Sequence, residues 1–210
     1  MRILAIVLLL STGSARAEGE PAGEFDYYVL SLSWSPNWCR AEGDAQGSAQ
    51  CADGSGFGWI LHGLWPQYER GWPSFCLTTA RDPSRAETAA MADIMGTSGL
   101  AWYQWKKHGR CTGLSADEYF MASRTAFDAV TRPAVFRRLT QNVTLPASLI
   151  EAAFLQENKA LSPDMITITC KSDAIQEARI CLSKDLEPRV CAADVARDCA
   201  SRNASFAPIR

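Results

Sequence analysis

Histidine is scarce in this chain: two in 210 residues, His62 and His108. Any proton-transfer chemistry that needs imidazole must therefore use one or both. A broad basic surface is also missing, since 21 Lys and Arg face 23 Asp and Glu for a formal net charge of −2. That excludes a generic nucleic-acid coat, which depends on neutralising many phosphates. It leaves open an enzyme with a local basic pocket. No apolar run after the N-terminus is long enough to cross a bilayer. None of the eight cysteines stands in a Cys-x-x-Cys pair, and neither histidine has a ligand-like partner at short spacing. A metal centre is not expected. There is no internal repeat, low-complexity tract or dividing linker, so residues 25–210 are expected to form one domain.

The N-terminus reads differently from the rest. Arg2, the apolar run Ile3–Leu10 and Ala15-Arg16-Ala17 have the order of a secretory signal with a small-residue cleavage site. Cleavage is expected after Ala17, followed by a loose lead-in over 18–24. The product would be secreted or periplasmic, with no membrane attachment. An even number of cysteines behind such a signal predicts four disulfides, with the connectivity left open by spacing alone. The small, polar stretch from Arg40 to Gly56 reads as a surface loop clipped by Cys39–Cys51.

Both histidines stand beside tryptophan and are followed by glycine, in Trp59-Ile60-Leu61-His62-Gly63-Leu64-Trp65-Pro66-Gln67 and Trp102-Tyr103-Gln104-Trp105-Lys106-Lys107-His108-Gly109. One such histidine is more often a packed side chain than a catalyst. Two, in matched surroundings with lysines adjoining, point to one site where an acid and a base work on one bond.

Phe25–Trp34 reads as a core strand, and Phe57–Leu61 as a second that delivers His62 at its end. Gly63 and Pro66 should then place Trp65 and Gln67 on a turn. Ser84-Arg85-Ala86-Glu87 is a capping box for a helix to about Met95, stopped by Gly96. Leu100–His108 reads as a helix capped by Gly109. On it Gln104, Lys107 and His108 share a face, while Trp105 turns into the core and Lys106 to solvent. Ser115-Ala116-Asp117-Glu118 caps a helix to about Val130. Short helices are expected after Pro133 and Pro146, and strands at Met165–Thr169 and Ala178–Leu182. Strands, then helices, then strands indicate an α+β fold with a central antiparallel sheet and helices packed on one side.

These motifs resemble the ribonuclease T2 family, the secreted acid endoribonucleases. Ile60–Pro66 is similar to the family's first active-site segment and Trp105–Cys111 to its second. Tyr28–Trp34 and Ile166–Cys170 are similar to its first and late strands. The resemblance runs from about Phe25 to Cys199. It implies a disulfide-stabilised α+β monomer without cofactor or metal. Its partner would be single-stranded RNA, cut by 2′-OH attack through a 2′,3′-cyclic phosphate. By matching position, His108 resembles the base, His62 the acid and Lys107 the phosphate-steadying cation. Trp65 resembles a base-stacking residue, with Gln67 beside the same pocket.

The family usually carries His-Glu where this chain has Tyr103-Gln104. Gln104 thus stands in a catalytic position and Tyr103 in a substrate-binding one, with altered chemistry. That departure motivates an alternative, a catalytically impaired relative that binds RNA or a protein. The resemblance also implies the bridges Cys76–Cys111, Cys170–Cys199 and Cys181–Cys191. Asn142 and Asn203 head glycosylation sequons.

Overall fold

Strand β1, Tyr27–Trp34, is buried along its whole length and lies inside the sheet. In the computed structural model, which describes residues 19–210, its alternate side chains serve two different faces. Tyr28, Leu30, Leu32 and Trp34 join the main core. Tyr27 and Val29 pack with Cys181, Cys191, Ala192 and Val195 on the other side. Period-two alternation sorts one strand between two environments in this way. The leader expected over 1–17 lies outside the described residues.

The sheet has six strands. β1 pairs antiparallel with β2, Trp59–Gln67, on one side and with β5, Ala174–Leu182, on the other. β5 in turn pairs antiparallel with β4, Ile166–Lys171. Two short strands complete it: β3, Val143–Leu145, and β6, Ala204–Phe206, which pair antiparallel. β6 touches β5 in parallel at the single pair Ala174↔Ser205. This α+β arrangement around a central, almost wholly antiparallel sheet matches the expectation. β3 and β6 were not expected, because three residues carry no readable period.

Helices fill the core face. α1 is Ser35–Trp38, α2 Arg85–Ala89, α3 Ala92–Met95, α4 Ser98–Lys107, α5 Ala116–Ala129 and α6 Ala147–Glu157. Both capping boxes form, at Ser84/Glu87 and Ser115/Glu118. The helix expected from Ser84 to Met95 divides into α2 and α3, and Gly96 ends α3 at φ +81°. Against the strands pack Trp105, Tyr119, Ile150 and Phe154, with Trp34 stacked on Phe206 at 4.2 Å. Each such side chain contributes about 1.5–3 kcal/mol by leaving water.

Four disulfides are present: Cys39–Cys51, Cys76–Cys111, Cys170–Cys199 and Cys181–Cys191. The lead-in, expected to be loose, is held from residue 19 on. Pro21 bridges Leu77, and Gly23 N–H donates to the Cys111 carbonyl at 2.9 Å. Those partners flank the Cys76–Cys111 bridge, so the bridge supplies the surface on which the lead-in docks. Among the described residues no helix is long and apolar enough to cross a membrane.

Candidate active site

β2 does not stop at His62. It continues through Pro66 to Gln67, so Trp65 and Gln67 lie on a strand rather than a turn. β2 is an edge strand, where a proline's missing N–H costs no ladder bond. The interruption takes another form. Leu61 pairs with Leu32 and Gly63 with Ser31, leaving His62 as the extra residue of a bulge. A bulge re-aims one side chain without ending the strand. Leu61 stays in the core while His62 faces the opposite, polar side of the sheet.

That side carries Ser31 and Ser33 of β1 and Glu177 and Arg179 of β5, in register Ser33↔Glu177 and Ser31↔Arg179. Glu177 is buried, and both its oxygens are engaged. His62 Nδ1 donates to Oε1 at 2.5 Å, and Arg179 donates to Oε2 through Nε and Nη2 at 2.8 and 2.6 Å. Burial alone would raise the Glu177 pKa, but the bonds and charges of His62 and Arg179 outweigh it and hold it at about 2. The carboxylate is therefore ionised at any ordinary pH. An ionised acceptor fixes the His62 proton on Nδ1 and turns Nε2 outward.

His108 is delivered by a helix end. Thr97 Oγ1 caps α4 by accepting the Leu100 N–H at 3.1 Å, and the last turn holds Lys106 and Lys107. His108 is the C-cap residue, its N–H still bonded to the Gln104 carbonyl at 2.9 Å. Gly109 does not cap the helix by a left-handed turn. It opens a 3-10 turn over Gly109–Thr112, and a side chain there would strike Trp105 and Tyr119. Trp105 anchors the helix from beneath, buried and donating Nε1–H to Asp82 Oδ1 at 2.8 Å. Lys106 is partly buried.

Two features bring α4 against β2. A side chain at Gly63 would overlap the Gln104 amide and the Trp65 indole, so glycine is what permits the approach. Trp65 Nε1–H then donates to Gln104 Oε1 at 2.7 Å. Further along, Phe75 N–H donates to the Lys107 carbonyl at 2.9 Å, and Cys76–Cys111 ties the loop after β2 to the turn after His108.

The result is a cleft of about 290 Å³ lined by His62, Trp65, Gln67, Trp72, Tyr103, Gln104, Lys107, His108 and Arg179, among others. All seven residues singled out by motif reach it. The Trp65 ring stands between the histidines, stacked on His108 at 5.3 Å and edge-on to His62 at 5.2 Å, with the Arg179 guanidinium 5.3 Å from its centre. Trp65 is thus engaged by protein on several sides and acts as the spacer that sets the two imidazoles apart. Gln67 is buried, its amide donating to the Pro66 carbonyl at 3.0 Å. The Lys107 ammonium lies 5.9 Å from the Tyr103 ring centre.

The histidines differ electrically. Burial first, then Lys107 and His62, pulls the His108 pKa down to about 3. Its Nδ1 is buried without a hydrogen-bond partner among the described residues. At neutral pH His108 is an uncharged imidazole. Sequence reading missed Glu177 and Arg179. The available signal was a Glu-x-Arg alternation within the apolar run of β5, placing both charges on one face. Among the described residues no group of three or more His, Cys, Asp and Glu assembles as a metal ligand set.

The chain is similar to known proteins. A ribonuclease of Aeromonas hydrophila is 42% identical over 108 residues, 51% of this chain and 47% of that protein. A probable ribonuclease of Haemophilus influenzae is 33% identical over 120 residues, 51% of this chain and 44% of that protein. The matched parts thus span less than half the length of these two relatives. Ribonuclease I of Escherichia coli K12 is 26% identical across 87% of this chain and 85% of its own. Among solved structures, an RNase-related protein from Calystegia sepium superposes with TM-score 0.67 at 21% identity, covering 88% of this chain and 98% of its own. RNase NT, in complex with 5′-AMP, gives 0.63 at 17% identity, covering 89% and 100%. These likenesses establish the fold. The ribonuclease T2 family model matches residues 25–191, through both histidine segments and every strand but β6, and the chain belongs to that family.

Proposed function

We propose that the protein is an endoribonuclease that cleaves single-stranded RNA by intramolecular attack of a 2′-OH, forming a 2′,3′-cyclic phosphate. The observation that carries the reading is the pair of unlike imidazoles at one indole. One is uncharged, and the other is proton-bearing at Nδ1 and clamped by an ionised carboxylate.

His108, neutral, takes the 2′-OH proton. The 2′-oxygen bonds to phosphorus as the bond to the 5′-oxygen breaks, and His62 donates a proton from Nε2 to that departing oxygen. Proximity of the 2′-OH supplies the nucleophile, so the protein needs to supply only proton transfer and charge stabilisation. Lys107 steadies the charge on phosphorus, and Arg179 adds a second cation to the cleft. Glu177 is a positioning residue: it acts on His62, not on RNA. Gln104, its carbonyl committed to Trp65, keeps amide N–H donors for a phosphate oxygen. Trp65, Gln67 and Tyr103 shape the space for the base. Catalysis uses no metal or cofactor in this reading. The enzyme works as a monomer of one domain over 25–210, secreted or periplasmic after loss of 1–17. The four disulfides and the family support that location.

The test is incubation with RNA in EDTA, with product ends analysed. Cyclic phosphate ends are expected, together with resistance at any linkage preceded by a 2′-deoxy residue. Cleavage at the deoxy linkage would remove the mechanism. RNA binding without cleavage would favour the impaired relative suggested by Gln104.

A further inference from the structure

Three large aromatic side chains remain in water beside the cleft. Trp72 is 56%, Phe75 44% and Tyr103 45% exposed. Trp72 and Tyr103 line the same cleft as the two histidines, and the Phe75 ring meets Tyr103 edge-on at 6.5 Å. Lys107 lies against the Tyr103 ring. Exposed aromatics that continue a cleft, with a cation among them, are suited to unpaired bases on a charged backbone.

Phe75 is presented outward at a cost. Its φ is +52°, in the left-handed region that a side chain disfavours by about 1–3 kcal/mol. The backbone is held there by the bond to the Lys107 carbonyl, and its neighbour Cys76 is bridged to Cys111. Glycine would satisfy that backbone better, so the backbone conformation is not the reason for a phenyl ring here. The ring's aromatic contact is Tyr103.

We propose that Trp72, Tyr103 and Phe75 form a stacking track for unpaired bases of an RNA strand beyond the scissile linkage. The track leaves the cleft on the α4 side, where His108 and Lys107 lie. That is the side of the nucleotide whose 2′-OH attacks, so the track takes the upstream, 5′ part of the strand. This rests on the catalytic roles proposed above. Its consequence is selectivity for length and single-strandedness. A dinucleotide reaches only the cleft, a longer unpaired strand also reaches Phe75, and a paired upstream segment cannot stack there.

The experiment compares kcat/KM on dinucleotides of mixed base with kcat/KM on the same dinucleotides carrying a short unpaired 5′ extension. Stacking of one base should raise kcat/KM by on the order of 5- to 100-fold in the wild type. Phe75→Gly keeps the backbone conformation and removes the ring, and its thermal midpoint checks the fold. It should lose most of the extension's gain yet match the wild type on dinucleotides, while Phe75→Trp keeps the gain. No gain in the wild type, or an undiminished gain in Phe75→Gly, would overturn the track. If the wild type cleaves no RNA, the catalytic reading fails by itself. Anisotropy with labelled 2′-O-methyl oligonucleotides, whose nucleophile is blocked, then decides. Weaker binding by Phe75→Gly that depends on oligonucleotide length supports the track, and equal binding at all lengths removes it.

Discussion

The bulge of β2 and the C-terminal end of α4 each present one histidine to the same indole, but they treat it oppositely. At the bulge, His62 is partly open, and a buried, ionised Glu177 holds its Nδ1 proton. At the helix end, His108 is buried, has no hydrogen-bond partner at Nδ1 among the described residues and is pushed toward its neutral form. A helix C-terminus would ordinarily favour a cation. Here desolvation and Lys107 outweigh it. Identical side chains acquire different environments because the backbone carries one toward a carboxylate and the other into a dry niche; under the proposed mechanism that difference separates their duties. Acid and base assignments follow from such divergent environments.

Removing either partner breaks the comparison outright and should have the largest effect. His62→Ala and His108→Ala are each expected to lower kcat by about 10²–10⁴, the usual worth of a positioned acid or base. The double variant should fall little below the worse single one, because the pair acts on one bond. Single variants with near wild-type turnover in a continuous cleavage assay would show that the cleft is not the catalytic centre.

Glu177→Gln attacks the feature that makes His62 different. The amide keeps the shape but not the charge that fixes the imidazole, and turnover should drop about 10- to 100-fold, the scale reported for groups that orient a functional histidine. The loss should fall on kcat with KM little changed, because Glu177 acts on His62 and not on RNA. Arg179 is left without its carboxylate partner, so a lower thermal midpoint is also expected. A lower midpoint with unchanged kcat would reduce Glu177 to a structural ion pair.

What was legible beforehand follows the physics of range. Local signals were readable: the i, i+3, i+4 face of Gln104, Lys107 and His108, and the two capping boxes that open α2 and α5. The strand to which His62 belongs was readable only as far as His62. Its bulge depends on the pairing with β1, which Gly63 and Pro66 do not announce. Glu177 sits 115 residues from His62 in sequence, and only the β1–β5 register brings them together. The place of the Trp65 ring between the two histidines, with the Arg179 guanidinium near its centre, was not legible either, because it too depends on how β2 meets α4 and β5.

A third test uses pH and stability instead of rate. The unfolded chain protonates His108 near its ordinary pKa of 6.5, while the fold resists until about 3. The native state therefore binds fewer protons in that window. The contribution is present in full above about 6.5 and is lost as pH falls toward 3. For Glu177, depressed from 4.5 to about 2, the contribution is present above 4.5 and lost as pH falls through 2. Between pH 7 and pH 5 the histidine alone should cost about 2 kcal/mol. Urea unfolding at the two pH values measures it, and His108→Gln should flatten the difference. An unchanged slope in that variant would mean that His108 protonates freely in the fold.

The smallest effect comes from giving the α4 histidine what the β2 histidine already has. Gln104 is buried one helical turn before His108, and its carbonyl accepts the Trp65 indole N–H. Its amide is neutral, so it leaves His108 to desolvation and keeps donors for the phosphate at any pH. Gln104→Glu can still accept from Trp65, but it places a carboxylate beside His108 and favours the protonated imidazole. The acid limb of kcat/KM, set by the base that must be neutral, should move upward. Turnover at neutral pH should change by less than about tenfold, the scale of one hydrogen bond's difference. Gln104→Ala should lose more, since it removes the donor and frees the Trp65 indole that spaces the two rings. Profiles of kcat/KM against pH on a dinucleotide check all three proteins. Superimposable profiles would make Gln104 a packing residue only. An inactive wild type restored by Gln104→Glu would mean that this chain has lost its catalysis at that one position, and that both histidines need a carboxylate neighbour.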